Sequence, residues 1–147
     1  MQTFLPYASF QHTAEVLDRQ RLGKQRVETL QIIKCLAGDS PGRGWSNHPA
    51  VKMWSGYEPA LARYGLVMID EWTARGYKDT CAGKIMSYMD AVDMVDPAMP
   101  PWIGDERFHA SHRSNLLRKA PEHYGALGWN EPDDMPYVWP ALDLVVT

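Results

Sequence analysis

The segment from Leu17 to Ala37 constrains the fold of this chain more than any other. It begins with the cationic run LDRQRLGKQRVE and continues without a break into the apolar run TLQIIKCLA. The apolar side chains recur at the three- and four-residue spacing of one helix face, and Gly38 follows as a typical helix end. The segment therefore predicts a helix over 19–37 with one face in a core and the other in solvent.

The remaining pattern predicts a mainly α fold, with residues 1–147 in one compact domain and irregular connections. A chain of 147 residues suits one core, and no strand pattern is strong. Residues 1–12 are expected to form an extended arm. Further helices are predicted over 13–18 with Thr13 as N-cap, 49–76 with a break near Gly56, 80–95, and from an N-cap at Asp105 to about Lys119, stopped by Pro121.

Composition excludes several classes of protein. No apolar run approaches the roughly 20 residues that a membrane span needs. The first residues, MQTFLPYASF, lack the basic and apolar regions of a signal peptide. Only Cys35 and Cys81 are present, which is too few for a disulfide framework. A cytoplasmic protein is therefore expected.

The charge distribution favours a local site for a polyanion. The net charge of −3 argues against indiscriminate binding to nucleic acid. Residues 1–78 nevertheless carry ten Lys/Arg and seven Asp/Glu, a balance of +3, whereas residues 79–147 carry five and eleven, a balance of −6. A phosphate-binding site is therefore expected in the N-terminal half, together with the cluster Arg113, Arg118 and Lys119.

The predicted first long helix places one carboxylate among cations. At 100° per residue, Arg21, Lys24, Gln25 and Glu28 share a face, while Arg26 points toward the apolar side. An ionised Glu28 beside bound phosphate could take up a proton or stabilise a developing cation. The alternative is a surface ion pair worth at most about 1 kcal/mol.

The segment FHASHRSNLLRKAPEHYG is the second candidate. His112 and Arg113 are expected to contact a phosphate or a base, and His109 is expected to be a hydrogen-bonded core histidine. A metal pair of His109 and His112, completed by His123 or Asp105, is an alternative, although the spacing alone is unspecific.

The segment RGWSNHPAVKMW is the third candidate. Asn47 and His48 precede Pro49 at a predicted helix start, where amide groups attract anions. Trp45 could stack on a base or belong to the core, since most tryptophans are largely buried.

Motifs along nearly the whole chain resemble a known family. MQTFLP, VLDRQRLGKQRVETLQ, WSNHPAVKMWSGYEPALARYG, EWTARGYKDT, FHASHRSNLLRKAPEHYG and PYVWP together are similar to bacterial and phage pyrimidine-dimer DNA glycosylases, which are distantly related to bacteriophage endonuclease V. The resemblance implies a compact helical DNA-repair enzyme. It implies that an α-amine attacks the sugar C1′, that an imine forms, and that β-elimination cleaves the backbone.

The resemblance also assigns roles to residues of this chain. Glu28 occupies the position of the essential acid, and the amine is expected to belong to Met1, because Gln2 is too bulky for the usual removal of the initiator. DNA with a damaged or modified pyrimidine is the expected partner, and no metal or other cofactor is expected. The expected substrate contacts are Arg19, Arg21, Lys24, Arg26, Trp45, His48, His112, Arg113, Arg118 and Lys119.

Two other functions fit the same residues. One is an enzyme on this scaffold that acts on a free nucleotide or nucleoside, for which a local basic patch suffices. The other is a non-catalytic module that binds nucleic acid or a partner through Arg21, Lys24 and Arg113.

Overall fold

The computed structural model describes residues 1–39 and 47–140. These two ranges contain α-helices, short 3₁₀ segments and no β-strand, which confirms the predicted mainly α class. The helices are α1 (Phe10–Val16), α2 (Arg19–Leu36), α3 (Pro49–Lys52), α4 (Glu58–Ala74), α5 (Ala82–Met86), the 3₁₀ turn (Ala91–Met94), α6 (Glu106–Lys119) and α7 (Pro121–Gly125).

The two long helices α2 and α4 pack against each other at the centre of the core. The apolar face of α2 buries Leu22 and Ile33, as its periodicity predicts. Gly65 of α4 allows the close approach, because a Cβ there would lie 2.5 Å from the methyl group of Thr29 on α2. The prediction of a long amphipathic helix that ends before Gly38 is confirmed.

The predicted start of α1 is wrong. Thr13 is not the N-cap, because the Ser9 hydroxyl accepts a hydrogen bond from the His12 amide (3.0 Å) and starts the helix at Phe10. The Thr13 hydroxyl instead donates to the Tyr7 carbonyl (3.2 Å). The helix therefore begins three residues earlier than the sequence pattern indicates.

The other boundaries are partly confirmed. The predicted break near Gly56 is present, since Gly56 has a φ of +86° between α3 and α4. The single helix predicted over 80–95 is wrong, because α5 ends at Met86 and only the short 3₁₀ turn follows. The α6 boundaries are confirmed, with Asp105 accepting from the Arg107 amide (3.0 Å) as N-cap.

The extended N-terminal arm, residues 1–7, passes through the core instead of over the surface. Gln2 to Pro6 are buried, and Thr3 and Leu5 are fully inaccessible. An extended strand without a neighbouring strand needs other partners for its buried amides and carbonyls. Side chains of the surrounding helices supply them, as the site geometry below shows.

A second extended segment, residues 131–139, crosses α6 and is called here the C-terminal strap. The Ser114 hydroxyl accepts from the Met135 amide (3.0 Å), and the Ser111 hydroxyl accepts from the Val138 amide (3.1 Å). Asn115 donates to the Met135 carbonyl (3.0 Å). These bonds fix the register of the strap on α6.

Within the described residues, no helix is both long enough and apolar enough to cross a membrane.

Candidate active site

One cavity of about 280 Å³ brings the chain's amino end and the Glu28 side chain together. Helix α2 contributes half of its lining residues, through the face that helical geometry predicts. The lining residues are Met1, Gln2, Phe4, Gln20, Arg21, Lys24, Gln25, Glu28, Lys119 and Tyr137. An α-amine, a carboxylate and several cations therefore share one concave site.

Glu28 is joined directly to the N-terminal arm. The Gln2 amide donates a hydrogen bond to Glu28 Oε2 (3.0 Å). Glu28 itself is half-buried on α2. The bond holds the Gln2 amide against the carboxylate. The α-amine of Met1 therefore lies one residue before this contact in the chain.

Gln25 and Tyr64 hold the middle of the arm. The Phe4 amide donates to Gln25 Oε1 (2.9 Å), and the Tyr64 hydroxyl lies within hydrogen-bond distance of two acceptors for its one proton, Gln25 Oε1 (2.8 Å) and the Phe4 carbonyl (2.7 Å). Burial and the nearby charge of Glu28 raise the pKa of Tyr64 well above its ordinary value, so the phenol remains a donor. These bonds fix the position of the arm along α2.

Trp54 and the helix α6 hold the arm from the other sides. Trp54 Nε1 donates to the Thr3 hydroxyl (3.0 Å). The Leu5 amide donates to His112 Nδ1 (2.9 Å), and Arg113 donates to the Pro6 carbonyl (2.8 Å). The arm is thus bonded at four successive residues, Thr3 to Pro6, which leaves little freedom for the amine at its end.

This placement corrects the expectation that His112 and Arg113 contact a phosphate or a base. His112 is fully buried, and burial, with a smaller electrostatic effect of the neighbouring His109, lowers its pKa to about 3, so it is neutral. Arg113 is ion-paired with Glu131 (3.1 Å) and with Glu106. Both side chains face the interior and support the N-terminal arm.

Arg26 is also corrected as a substrate contact. It forms an ion pair with Asp79, and its guanidinium carbon lies 4.4 Å from the centre of the Trp72 ring. This position agrees with the helical geometry, which directs Arg26 away from the face of Glu28. Its role is to connect α2 with α4 and with the start of α5.

The metal alternative finds no support in the described part of the chain. His109 Nδ1 donates to the Leu5 carbonyl (2.7 Å), while the Gly104 amide donates to its Nε2 (2.9 Å), so both ring nitrogens are occupied. His112 Nδ1 is occupied as well. No three potential ligands among histidine, cysteine, aspartate and glutamate converge within residues 1–39 and 47–140.

His48 lies close enough to the site to be affected by the charge of the Met1 amine. Burial, and then the positive charge of the chain terminus, lowers the pKa of His48 below its ordinary value. A neutral His48 accepts a hydrogen bond from the Ala50 amide at Nδ1 (3.0 Å) and caps α3. Trp45 lies outside the described residues.

Four of the remaining predicted cations lie around this site. Lys24 and Lys119 are exposed and line the cavity, whereas Arg19 is exposed on the α2 face of Arg26, away from Glu28. Arg21 also lines the cavity and is ion-paired with Asp18 (3.0 Å). Arg118 is exposed and donates to the Asp133 carbonyl (3.1 Å). Arg21, Lys24, Arg118 and Lys119 form the cationic rim of the site.

Two larger cavities are less suited to a phosphate-bearing ligand. The first, about 390 Å³, is lined by Glu58, Asp90 and Asp93 among apolar residues. The second, about 420 Å³, has Arg63 and Asp96 as its charged lining residues. The acidic wall of the first cavity repels phosphate, and the two charges of the second cancel. The cavity beside Glu28 has three lining cations and one carboxylate, so it is the best candidate site despite its smaller size.

Five lining residues were not among the sequence candidates for substrate contact: Gln2, Phe4, Gln20, Gln25 and Tyr137. Gln25 was placed on the correct helix face, but an uncharged amide carries no signal of its own. Phe4 and Tyr137 come from extended segments that have no helical periodicity. Only the contacts of these segments with α2 and α6 bring their side chains into the cavity.

A family model described as pyrimidine dimer DNA glycosylase matches residues 1–84. The chain belongs to this family. The match covers the N-terminal arm, α2 with Glu28, and α4, which are the elements that form most of the cavity wall and fix the arm. No curated protein and no solved structure matches the chain.

Proposed function

We propose that this member of the pyrimidine dimer DNA glycosylase family excises a damaged or modified pyrimidine from duplex DNA, with the Met1 amine as nucleophile and Glu28 as acid and base. The observation that carries the proposal is that Met1 and Glu28 line one cavity rimmed by Lys24 and Lys119. The family membership supports a DNA substrate.

The proposed reaction begins with the lone pair of the Met1 nitrogen attacking C1′ of the damaged nucleotide. The N-glycosidic bond breaks, its electron pair leaves with the base, and the base takes a proton from water. Glu28 accepts the proton that the attacking nitrogen loses and returns it to the ring oxygen as the sugar opens. The product of this step is an imine between the Met1 nitrogen and C1′.

The imine makes a lyase step possible. It acidifies C2′, so that removal of a proton there expels the 3′ phosphate by β-elimination, and water then hydrolyses the imine to free the amine. The carboxylate of Glu28, held by the Gln2 amide at 3.0 Å, is the group on this wall that can accept the C2′ proton.

The surrounding residues provide binding and orientation. A base inside a duplex is inaccessible, so such enzymes bring the target nucleotide out of the stack. The cationic rim would hold the flanking phosphates, and the bonds from Gln25, Tyr64 and His112 would hold the amine in place. We also propose a cytoplasmic location, where a DNA substrate and the free thiols of Cys35 and Cys81 are compatible.

A second candidate is an enzyme on the same scaffold that acts on a free pyrimidine nucleotide. The cavity of about 280 Å³ and the net charge of −3 favour it, because a single phosphate needs only a local patch. A non-catalytic module that binds through the same rim is the third. The two enzymes and the module differ in imine formation and in the salt dependence of binding.

Trapping with borohydride tests the proposed chemistry. The protein is incubated with duplex DNA containing one pyrimidine dimer, and the covalent product is measured in wild type, Glu28→Gln and a variant extended by a few residues before Met1. We expect Glu28→Gln to lose roughly 10²-fold or more in rate while it still binds DNA, because glutamine keeps the shape of the side chain and removes the proton acceptor. The extended variant should trap nothing.

Glu122→Gln is the matched control, since Glu122 is exposed on α7 and outside the cavity. Its rate should equal that of wild type. If the extended variant still traps, a lysine such as Lys24 is the nucleophile. If Glu28→Gln turns over normally, the role of Glu28 is wrong.

A further inference from the structure

Tyr137 is part of the candidate active site although it lies far along the chain from Met1 and Glu28. The strap is bonded to α6 on both sides of it, at Met135 and at Val138. These bonds set its position on the cavity wall. Tyr137 lies outside the region 1–84 that the family model matches, so the family match assigns it no role.

The ring of Tyr137 packs against His112, which also holds the N-terminal arm, and against the arm itself. It meets His112 edge-on at 5.4 Å between ring centres and lies tilted against Phe4 at 6.5 Å. Trp139 packs on it at 5.6 Å. Tyr137 is only half-buried. A rigid, partly exposed aromatic ring on the wall of a cationic cavity is the type of surface on which an unstacked base lies.

The hydroxyl group of Tyr137 is a free donor between opposite charges. Burial raises its pKa to about 12, with a further increase from Glu28 and an opposing effect of Arg118 and Arg21. The phenol therefore keeps its proton at neutral pH. In the described part of the chain, its hydroxyl has no hydrogen-bond partner. An acceptor oxygen of a ligand in the cavity would give this hydroxyl the hydrogen bond that it lacks.

We propose that Tyr137 contacts the substrate directly, with its ring against the extruded pyrimidine and its hydroxyl donating to an oxygen of that nucleotide. The proposal rests on the proposed function, because it assumes that the cavity receives the nucleotide whose C1′ reacts. It makes the C-terminal strap a part of substrate recognition. The ligand class is a pyrimidine nucleotide, whose base carbonyls and phosphate both offer acceptor oxygens.

A contact can be measured without any turnover. Protein labelled with ¹³C at the ring carbon that bears the tyrosine hydroxyl is titrated with thymidine 5′-monophosphate and with a short duplex containing one pyrimidine dimer. The Tyr137 signal is assigned by its absence in Tyr137→Phe. We expect it to shift in a saturable way, whereas the signal of Tyr77, which is exposed and stacked on Trp72 outside the cavity, should stay unchanged.

Variants separate the ring from the hydroxyl. Tyr137→Phe keeps the ring and should weaken binding of the dimer-containing duplex about fivefold, as expected for one hydrogen bond. Tyr137→Ala should weaken it by about 5- to 150-fold, the range that loss of base–aromatic stacking spans. Tyr77→Phe and Tyr77→Ala are the matched controls and should bind as wild type does. Thermal unfolding of each variant checks that the strap still folds.

The outcomes distinguish this proposal from the proposed function. A saturable Tyr137 shift in a protein that forms no imine would support the contact and contradict the glycosylase chemistry. Normal imine trapping with unchanged kcat and KM in both Tyr137 variants would contradict the contact and leave the chemistry standing. A Tyr137 signal that no nucleotide or duplex moves would overturn the proposal as well.

Discussion

His112 shows how the environment of one residue decides its role. By its position in the sequence it is an attractive phosphate ligand, next to Arg113 and one helical turn from His109. In the folded protein it accepts a hydrogen bond from the Leu5 amide, and it can do so only when Nδ1 carries no proton. The partner is 107 positions away, so a local pattern could not reveal it.

The neutral state of His112 leads to a prediction of acid sensitivity. Its pKa is about 3 in the folded protein and 6.5 in an unfolded chain, so between these values the unfolded state binds more protons. The resulting stability is complete above pH 6.5 and is lost as the pH falls toward 3. Between pH 7.5 and pH 4.5 the loss should be about 3 kcal/mol.

Urea unfolding at these two pH values checks this in wild type and in His112→Asn. The variant should be less stable at pH 7.5, and its further loss at pH 4.5 should be smaller by about 3 kcal/mol. His12→Asn is the control, since His12 is exposed on α1. An equal acid-induced loss in His112→Asn and in wild type would show that another group causes it.

At the scale of elements, helices with strong periodicity could be predicted and short or extended segments could not. Helix α2 carries a complete apolar face, and Gly38 with a φ of +76° marks its end, so both its type and its extent were predictable. Helix α1 was misplaced because Ser9 and Thr13 are both good caps, and only the fold decides between them.

The candidate site, like the fold, was predictable where its residues lie on a periodic helix and not where they depend on distant segments. Met1 and Glu28 were assigned through the resemblance and the face of α2, and the structure brings them into one cavity. The interior position of Arg113 was not predictable, because its acidic partner Glu131 lies on a distant segment. Helical geometry directed Arg26 to the apolar side of α2, but not to its partner Asp79. The strap has no period, so the contribution of Tyr137 requires the three-dimensional structure.

The contact between α2 and α4 gives a prediction at this scale. Gly65→Ala would place a methyl group 2.5 Å from Thr29 Cγ2, so we expect a destabilisation of about 1–3 kcal/mol, as for other overpacked cores. Gly83→Ala is the matched control on α5, where a Cβ meets nothing within 4 Å and φ is not positive. It should stabilise the protein by up to about 1 kcal/mol through helix propensity.

Denaturant unfolding of both variants at one pH measures these changes. The opposite signs are the essential result, since glycine to alanine is the same chemical change at both positions. A stabilised Gly65→Ala protein would mean that α2 and α4 are not packed as closely as described.

At the scale of the whole molecule, charge is separated between two regions. The cationic rim, which consists of Arg21, Lys24, Arg118 and Lys119, borders the cavity. Two other cations once expected there, Arg26 and Arg113, are neutralised by internal ion pairs with Asp79, Glu106 and Glu131. Acidic residues elsewhere, such as Asp90 and Asp93 at the 3₁₀ turn, would repel DNA that approaches in other orientations.

This arrangement predicts how strongly salt weakens DNA binding. If three or four of the rim cations contact phosphates, the logarithm of the affinity should fall against the logarithm of salt concentration with a slope of about −2.7 to −3.6, at about −0.9 per contact. Lys24→Ala and Lys119→Ala should each reduce the slope by roughly one unit without changing the preference for damaged DNA. Lys84→Ala, on the exposed side of α5, should leave the slope unchanged.

The measurement is a series of binding affinities from low to moderate salt on damaged and intact duplex. A slope near −1, combined with activity on free nucleotides, would favour the small-nucleotide enzyme, because such a ligand presents a single phosphate group to the rim.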